Sequence, residues 1–255
     1  MTFFESGLLG FLQGLTEFLP VSSSGHLVVF QKLLKVSEQI EFDIFLHFAT
    51  LLAVLVFFRT DVTEVIKGIF RKSSGGRKVF VGILIGSIPT AIIGLVFKDF
   101  FEKQFSQPRT VSVMWLVSAF VIWLASKFSK SDVFDKSCDS TKITDFFIIG
   151  TVQGLAIMPG ISRSGMTIAA ALLLGFNRLW AFRYSMLLSI PAILGAGLLE
   201  LKSIDININI FTGGFIAMFS GLLALYILAK TLTVRKFHIF SYYLLIVGIL
   251  GLIFL

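Results

Sequence analysis

Glu17, Ser23 and His26 lie within one ten-residue window of an apolar stretch, and Arg163 stands in a second such stretch far along the chain. A carboxylate, a hydroxyl and an imidazole can supply a base, a nucleophile and an acid, while a guanidinium fork matches a pair of phosphate oxygens. Gln13 falls one helical turn before Glu17, so the two share a face and can hold a divalent ion or a water between them. Ser22 and Ser24, which flank Ser23, are candidates for binding substrate, and around Arg163 the candidates for gripping an anion are Gly160, Ser162, Ser164 and Thr167. The helix expected over 166–176 adds free amides and a favourable dipole at its start. Against this stands a plainer account, in which Arg163 is only a structural ion-pair partner of Glu17.

The two stretches are versions of one another. Gly10, Gln13, Gly14, Leu15, Ser22, Ser24 and Gly25 recur 140 residues later, without a gap, as Gly150, Gln153, Gly154, Leu155, Ser162, Ser164 and Gly165. Repeated polar, glycine-rich segments in an apolar chain point to duplicated halves whose motifs meet at one centre.

Composition supplies the setting. Of 255 residues, 56% are hydrophobic and 15% charged, with a mean hydropathy of +0.91, values that belong to a protein whose main solvent is lipid. Apolar runs at 42–58, 79–97, 111–126, 180–200, 211–229 and 240–255 approach the roughly 20 residues that a spanning helix needs. The first residues lack a basic region and a small-residue cleavage site, so they are read as mature protein rather than a signal peptide. A lone Cys138 in a polar loop excludes an intramolecular disulfide. The net charge of +7 is assigned to cytoplasmic loops and not to nucleic acid.

If each motif segment is a re-entrant hairpin, six spans fix the side of every loop. One side then holds 15 Lys and Arg, in 59–78, 127–142, 178–183 and 230–236, and the other holds six, namely Lys32, Lys35, Lys98, Lys103, Arg109 and Lys202. The richer side is placed in the cytoplasm. The expected fold is an all-α integral membrane protein with an inverted-topology repeat. Residues 1–126 form the first half, with a hairpin at about 3–35 and spans at 42–58, 79–97 and 111–126. A cytoplasmic linker follows at 127–143. Residues 144–255 form the second half, with a hairpin at about 144–177 and spans at 180–200, 211–229 and 240–255. Pro20, Gly25, Pro159, Gly160 and Gly165 suit the hairpin tips, where irregular backbone needs protein or water around it. The alternative is a pair of ordinary spans through each motif. His47, near the end of its span, is read as interfacial, His238 as a surface residue, and Pro89 and Pro191 as helix kinks.

Together the motifs resemble the undecaprenyl-diphosphate phosphatase family of the bacitracin-resistance type, along essentially the whole chain. The family's first pattern, Glu or Gln, three residues, Glu, then Pro-Val-Ser-Ser-(Ser/Thr)-Gly-His, is met from Gln13 to His26. Its second, Pro-Gly-x-Ser-Arg-Ser-x-x-Thr, is met from Pro159 to Thr167. Gln13 departs from the Glu that many members carry, which leaves Glu17 as the sole carboxylate of the first motif. The resemblance implies hydrolysis of undecaprenyl diphosphate to undecaprenyl phosphate at the outer face of the bacterial plasma membrane, recycling the lipid carrier of cell-wall synthesis. It implies a divalent cation, Mg²⁺ or Ca²⁺, held by Glu17 with Gln13, and attack by Ser23 or a bound water. His26 is then the base or leaving-group acid, and Arg163, Ser162 and Thr167 grip the diphosphate. The partner is a polyprenyl diphosphate lipid, with a homodimer left open. Inverted repeats also build carriers, so a polyprenyl-phosphate flippase is the competing expectation. A mere membrane scaffold would leave the repeated polar motifs unexplained.

Overall fold

The computed structural model describes residues 2–34, 40–105, 107–128, 136–200 and 208–254. Lys35, Lys202 and residues 129–135 of the expected linker lie outside them. The described residues are all-helical, with one isolated bridge between Lys136 and Phe176. The first six helices are α1 (Phe3–Phe18), α2 (Ser23–Leu34), α3 (Ile40–Phe57), α4 (Arg59–Ile69), α5 (Ser74–Val96) and α6 (Lys98–Phe105). They are followed by α7 (Pro108–Phe128), α8 (Ile143–Leu155), α9 (Arg163–Leu173), α10 (Arg178–Glu200), α11 (Ile208–Thr233) and α12 (Ile239–Phe254).

Local chemistry sets the ends that matter. Thr2 and Glu5 form a capping box at the start of α1. Pro20 forbids helical backbone at Leu19, which is extended at φ −61°, ψ 141°, and so α1 stops at Phe18. Ser22 turns the chain at φ 69° and its hydroxyl accepts from the Gly25 amide at 3.3 Å, opening α2. The second motif repeats the device with altered punctuation: Gly160 takes the left-handed conformation, φ 91°, and Ser162 Oγ accepts from the Gly165 amide at 3.1 Å, opening α9. Each motif is therefore helix, break, helix, and within each the two helices pack on one another.

Four helices, α5, α7, α10 and α11, are long and apolar enough to cross a membrane. A fifth candidate is the pair of α3 and α4, bent by 83° at Phe58, where the apolar run gives way to the charged face of Arg59, Asp61, Glu64 and Lys67. The run expected to span at 240–255 forms α12, whose 16 residues reach only about 24 Å, short of a hydrocarbon core of about 30 Å. Pro89 and Pro191 both sit inside continuous helices.

Small residues hold the bundle together. Gly10 and Gly14 on α1 meet Gly213, Ala217 and Gly221 on α11 so closely that an added Cβ would strike the α11 backbone. On α8, Gly150 meets the Gly86 backbone of α5 in the same manner, and Gly154 lies against the Ile93 side chain and the Thr90 backbone. These are small-xxx-small faces, which let helices approach where lipid offers no hydrophobic drive for association. Each motif helix thus packs on a helix of the other half of the chain, and α5 carried 140 residues onward overlaps α11. Large side chains turn outward instead, among them Leu84, Ile88 and Ile92 on α5 and Phe211, Phe215 and Phe219 on α11.

Candidate active site

Glu17, at the end of α1, is 8% exposed and is the hub of the cluster. Its two oxygens have different neighbours. Oε1 accepts from Arg163 Nη2 at 2.5 Å, joining the two motifs. Oε2 accepts from Ser23 Oγ at 2.5 Å and from Gln13 Nε2 at 3.1 Å. The break at residues 19–22 makes this geometry, since it folds the first turn of α2 back onto the last turn of α1. Two buried polar atoms here lack a partner, Gln13 Oε1 and Arg163 Nη1, so an acceptor and a donor remain open at the same centre.

The remaining sequence candidates divide. Ser164 Oγ donates to Leu19 O at 3.3 Å, a second tie between the motifs. Ser22 and Ser162 cap their helices, and each sits 3.4 Å from the hydroxyl two residues on, Ser24 and Ser164 respectively. Gly160 packs against Val111 on α7, so its lack of a side chain is used for close approach as well as for its backbone angle. Thr167 is fully buried and its hydroxyl meets Ser185 Oγ at 2.6 Å and Arg163 O at 2.9 Å, turned into the α9–α10 contact.

His26 stands apart from the Glu17 cluster's hydrogen bonds. Its Nδ1 lies 2.8 Å from the Ser22 carbonyl, to which it must donate, and its Nε2 lies 2.7 Å from Tyr243 Oη of α12, from which it then accepts. The ring is sandwiched between Trp115, centroids 5.1 Å apart, and Tyr243, 5.7 Å apart. Both ring nitrogens are thereby engaged, and Nδ1 ties the ring to the carbonyl of the serine turn. Tyr243 carries no motif signature, and only the fold brings it here.

His47 is the other residue the sequence leaves in the background. Its Nε2 lies 3.6 Å from Glu17 Oε2, within ion-pair distance, and its Nδ1 2.7 Å from the Asp43 carbonyl, so it is part of the Glu17 cluster. The position one turn after Asp43 was legible, but nothing local to α3 connects it with Glu17. Cys138 is distant from all of this; burial pushes its thiol up from the ordinary range, in keeping with a bystander.

Among the described residues no group of three or more His, Cys, Asp or Glu is arranged to hold a metal ion. The donors at Glu17 are instead one carboxylate, the unpartnered amide oxygen of Gln13 and a hydroxyl, a set of hard oxygens that fits Mg²⁺ or Ca²⁺.

Helices of spanning length, apolar exteriors and a buried carboxylate with a partly buried guanidinium and serine, gathered from two repeated motifs, define a multi-pass membrane protein with a polar centre. The chain belongs to the family of the bacitracin resistance protein BacA, which matches residues 6–250. It is 46% identical to an undecaprenyl-diphosphatase of Halothermothrix orenii, over 99% of this chain and 98% of the relative. It is 42% identical to an undecaprenyl-diphosphatase of Carboxydothermus hydrogenoformans over 98% and 96%, and 43% identical to one of Thermosipho africanus over 96% and 97%.

Proposed function

We propose that this protein is an integral-membrane phosphatase that hydrolyses undecaprenyl diphosphate to undecaprenyl phosphate and inorganic phosphate. The observation that carries the reading is Glu17 itself, one oxygen on Arg163 and the other on Ser23. Such a carboxylate can take the proton of a serine while its ion-pair partner turns to a phosphate.

In this mechanism the terminal phosphate binds against Arg163, whose open Nη1 provides a second donor. Ser23 Oγ attacks the terminal phosphorus and passes its proton to Glu17. The Ser23 O–P bond forms as the anhydride P–O bond breaks, and the lipid monophosphate departs with the bridging oxygen. Glu17 passes the serine proton on to the departing lipid phosphate. Water then attacks the phosphoserine, its oxygen bonding to phosphorus as the Ser23 Oγ–P bond breaks, one water proton returns to Ser23 Oγ, and inorganic phosphate leaves. Gln13 and Glu17 would hold a divalent ion, which when bound supplies neutralisation of the diphosphate charge. His26, braced by Tyr243, fixes Ser22 and hence the aim of Ser23. Positioning and charge account for most of the acceleration, since phosphoryl transfer asks little covalent help of the protein.

The two halves are arranged as an inverted repeat, with α1–α2 and α8–α9 as re-entrant hairpins entering from opposite faces. Support comes from the exchanged packing of α1 on α11 and α8 on α5, and from the bias of Lys and Arg to one set of loops. The same bias favours a site open toward the outer face of the plasma membrane.

The test is phosphate release from a short-chain prenyl diphosphate by protein purified in detergent. Release that is lost in both Glu17→Ala and Arg163→Ala supports the phosphatase. A folded protein that releases none, yet moves polyprenyl phosphate across vesicles, would be a carrier.

A further inference from the structure

We propose that Ser118 of α7 is a positioning residue, which aims Arg163 at the terminal phosphate through the backbone that opens α9. The inference rests on the proposed diphosphate site.

α7 carries neither motif, yet one face of it touches both. Val111, Trp115, Ser118 and Ile122 recur at steps of four, three and four residues, the spacing of a single helical stripe, and all are buried. Trp115 lies against the first motif: a Cβ added to Gly25 would stand 2.7 Å from its indole nitrogen, and its ring packs on His26 with centroids 5.1 Å apart. The other three lie against the second motif. Gly160 sits on the Val111 backbone, the Ile122 side chain lies on Gly165, and Ser118 Oγ accepts from the Ser162 amide at 3.1 Å. Ser23 and Arg163 each stand within two residues of one of these contacts, so both ends of the site are registered on one helix.

The hydroxyl of Ser118 is turned differently from its neighbours on α7. Ser112 and Ser126 donate to carbonyls of their own helix one turn back, Pro108 and Ile122. Ser118 accepts instead from the N-cap residue of α9, and the contact is sealed, with Ser118 0% and Ser162 1% exposed. Without that acceptor the Ser162 amide is left unpaired unless the chain shifts. Arg163 is the next residue. Among the described residues its guanidinium is bonded only to Glu17, the group that takes the serine proton, and its Nη1 is open. Once a phosphate parts that pair, Glu17 no longer directs the guanidinium. Its aim then depends on where α9 begins, and Ser118, with Gly160 seated on Val111, fixes that point. A misplacement of about 1 Å at a reacting centre can cost about 100-fold in rate.

The experiment is a double-mutant cycle on the full chain in detergent, read as kcat/KM for phosphate release from a short-chain prenyl diphosphate. Ser118→Ala should lower it about 10-fold when Arg163 is present and less than about 2-fold in an Arg163→Lys background, because a residue that acts through the guanidinium fork has little to act on once the fork is gone. Ser112→Ala, which removes a buried hydroxyl from the side of α7 that meets Gly251 of α12, should leave kcat/KM unchanged in both backgrounds. Losses that multiply across the two backgrounds, no loss in Ser118→Ala, or an equal loss in Ser112→Ala would overturn the proposal. If Ser118→Ala does not fold, Ser118→Cys, whose sulfur is a weak acceptor, runs the same cycle. A prenyl methylenediphosphonate, which cannot be hydrolysed, separates this proposal from the one it rests on, since its dissociation constant should follow the same pattern. Wild type that binds the analogue but releases no phosphate removes the phosphatase reading alone, and release with multiplied losses removes this inference alone.

Discussion

Arg163 Nη2 lies 2.5 Å from Glu17 Oε1, joining residues 146 positions apart, with side chains only 16% and 6% exposed. In the free protein this pair satisfies two charges that lipid would otherwise penalise. Removing one partner strands the other, so Arg163→Ala should lower stability by about 3–5 kcal/mol, and adding Glu17→Gln should recover part of that loss. Thermal unfolding in detergent measures both. Phosphate release by Arg163→Ala should fall at least about 100-fold, and Arg163→Lys, which keeps the charge but not the fork, should not restore it fully.

Ser23 Oγ, 2.5 Å from Glu17 Oε2, has the contact of a nucleophile with its base. Rapid quenching with substrate labelled in the terminal phosphate should therefore trap label on the wild-type protein, and none on Ser23→Ala. Ser23→Ala should also fall to background turnover. Substantial turnover by that variant would assign the attack to water.

Tyr243 closes the far nitrogen of His26 at 2.7 Å. Tyr243→Phe keeps the stacked ring and deletes one hydrogen bond, a loss of about 1 kcal/mol in stability. If His26 acts as a brace for the serine turn, kcat should fall about 10-fold with little change in KM, and His26→Asn, which keeps a donor but no stacked ring, should behave similarly. A change confined to KM would move His26 from bracing to substrate binding.

Much of this architecture is legible in the chain because hydropathy acts over whole helices and proline and glycine act locally. The runs at 79–97, 111–126, 180–200 and 211–229 become α5, α7, α10 and α11, Pro20 stops α1, and Gly160 takes a left-handed turn in the segment between α8 and α9. The bend at Phe58 and the shortness of α12 are finer, since an apolar run does not state whether it spans. Glu17, Ser23 and Gln13 are neighbours along one chain segment and were readable as a cluster, while Arg163 needed the duplication to point to it. His47 and Tyr243 were not readable in that way. Their partners come from tertiary packing of α3 and α12, and neither segment carries a repeated motif that would mark its polar residues for the site. Thr167 shows the converse: its motif position suggests a phosphate donor, yet packing turns its hydroxyl to Ser185.

Gly150 faces the Gly86 backbone as Gly10 faces Gly213, leaving no room for a Cβ at either contact. Gly150→Ala and Gly10→Ala should each force the motif helix away from its partner and cost about 1–3 kcal/mol, as overpacking typically does. Gly75→Ala is the control, since nothing lies within 4 Å of its added carbon. Melting temperatures in one detergent should fall for the first two and hold for the third.

The inverted arrangement predicts where the ends of each hairpin emerge. On a Cys138→Ser background, single cysteines at Phe3 and Lys32 flank α1–α2, and cysteines at Lys142 and Arg178 flank α8–α9. A re-entrant hairpin returns to the side it entered, so both members of a pair must share a face. The charge bias places the first pair outside and the second in the cytoplasm. A membrane-impermeant maleimide applied to intact cells should therefore label Phe3→Cys and Lys32→Cys, while Lys142→Cys and Arg178→Cys react only after permeabilisation. Opposite behaviour within a pair would mean that its motif crosses the bilayer completely. The exchanged contacts of α1 with α11 and α8 with α5 would then need an explanation other than inverted halves.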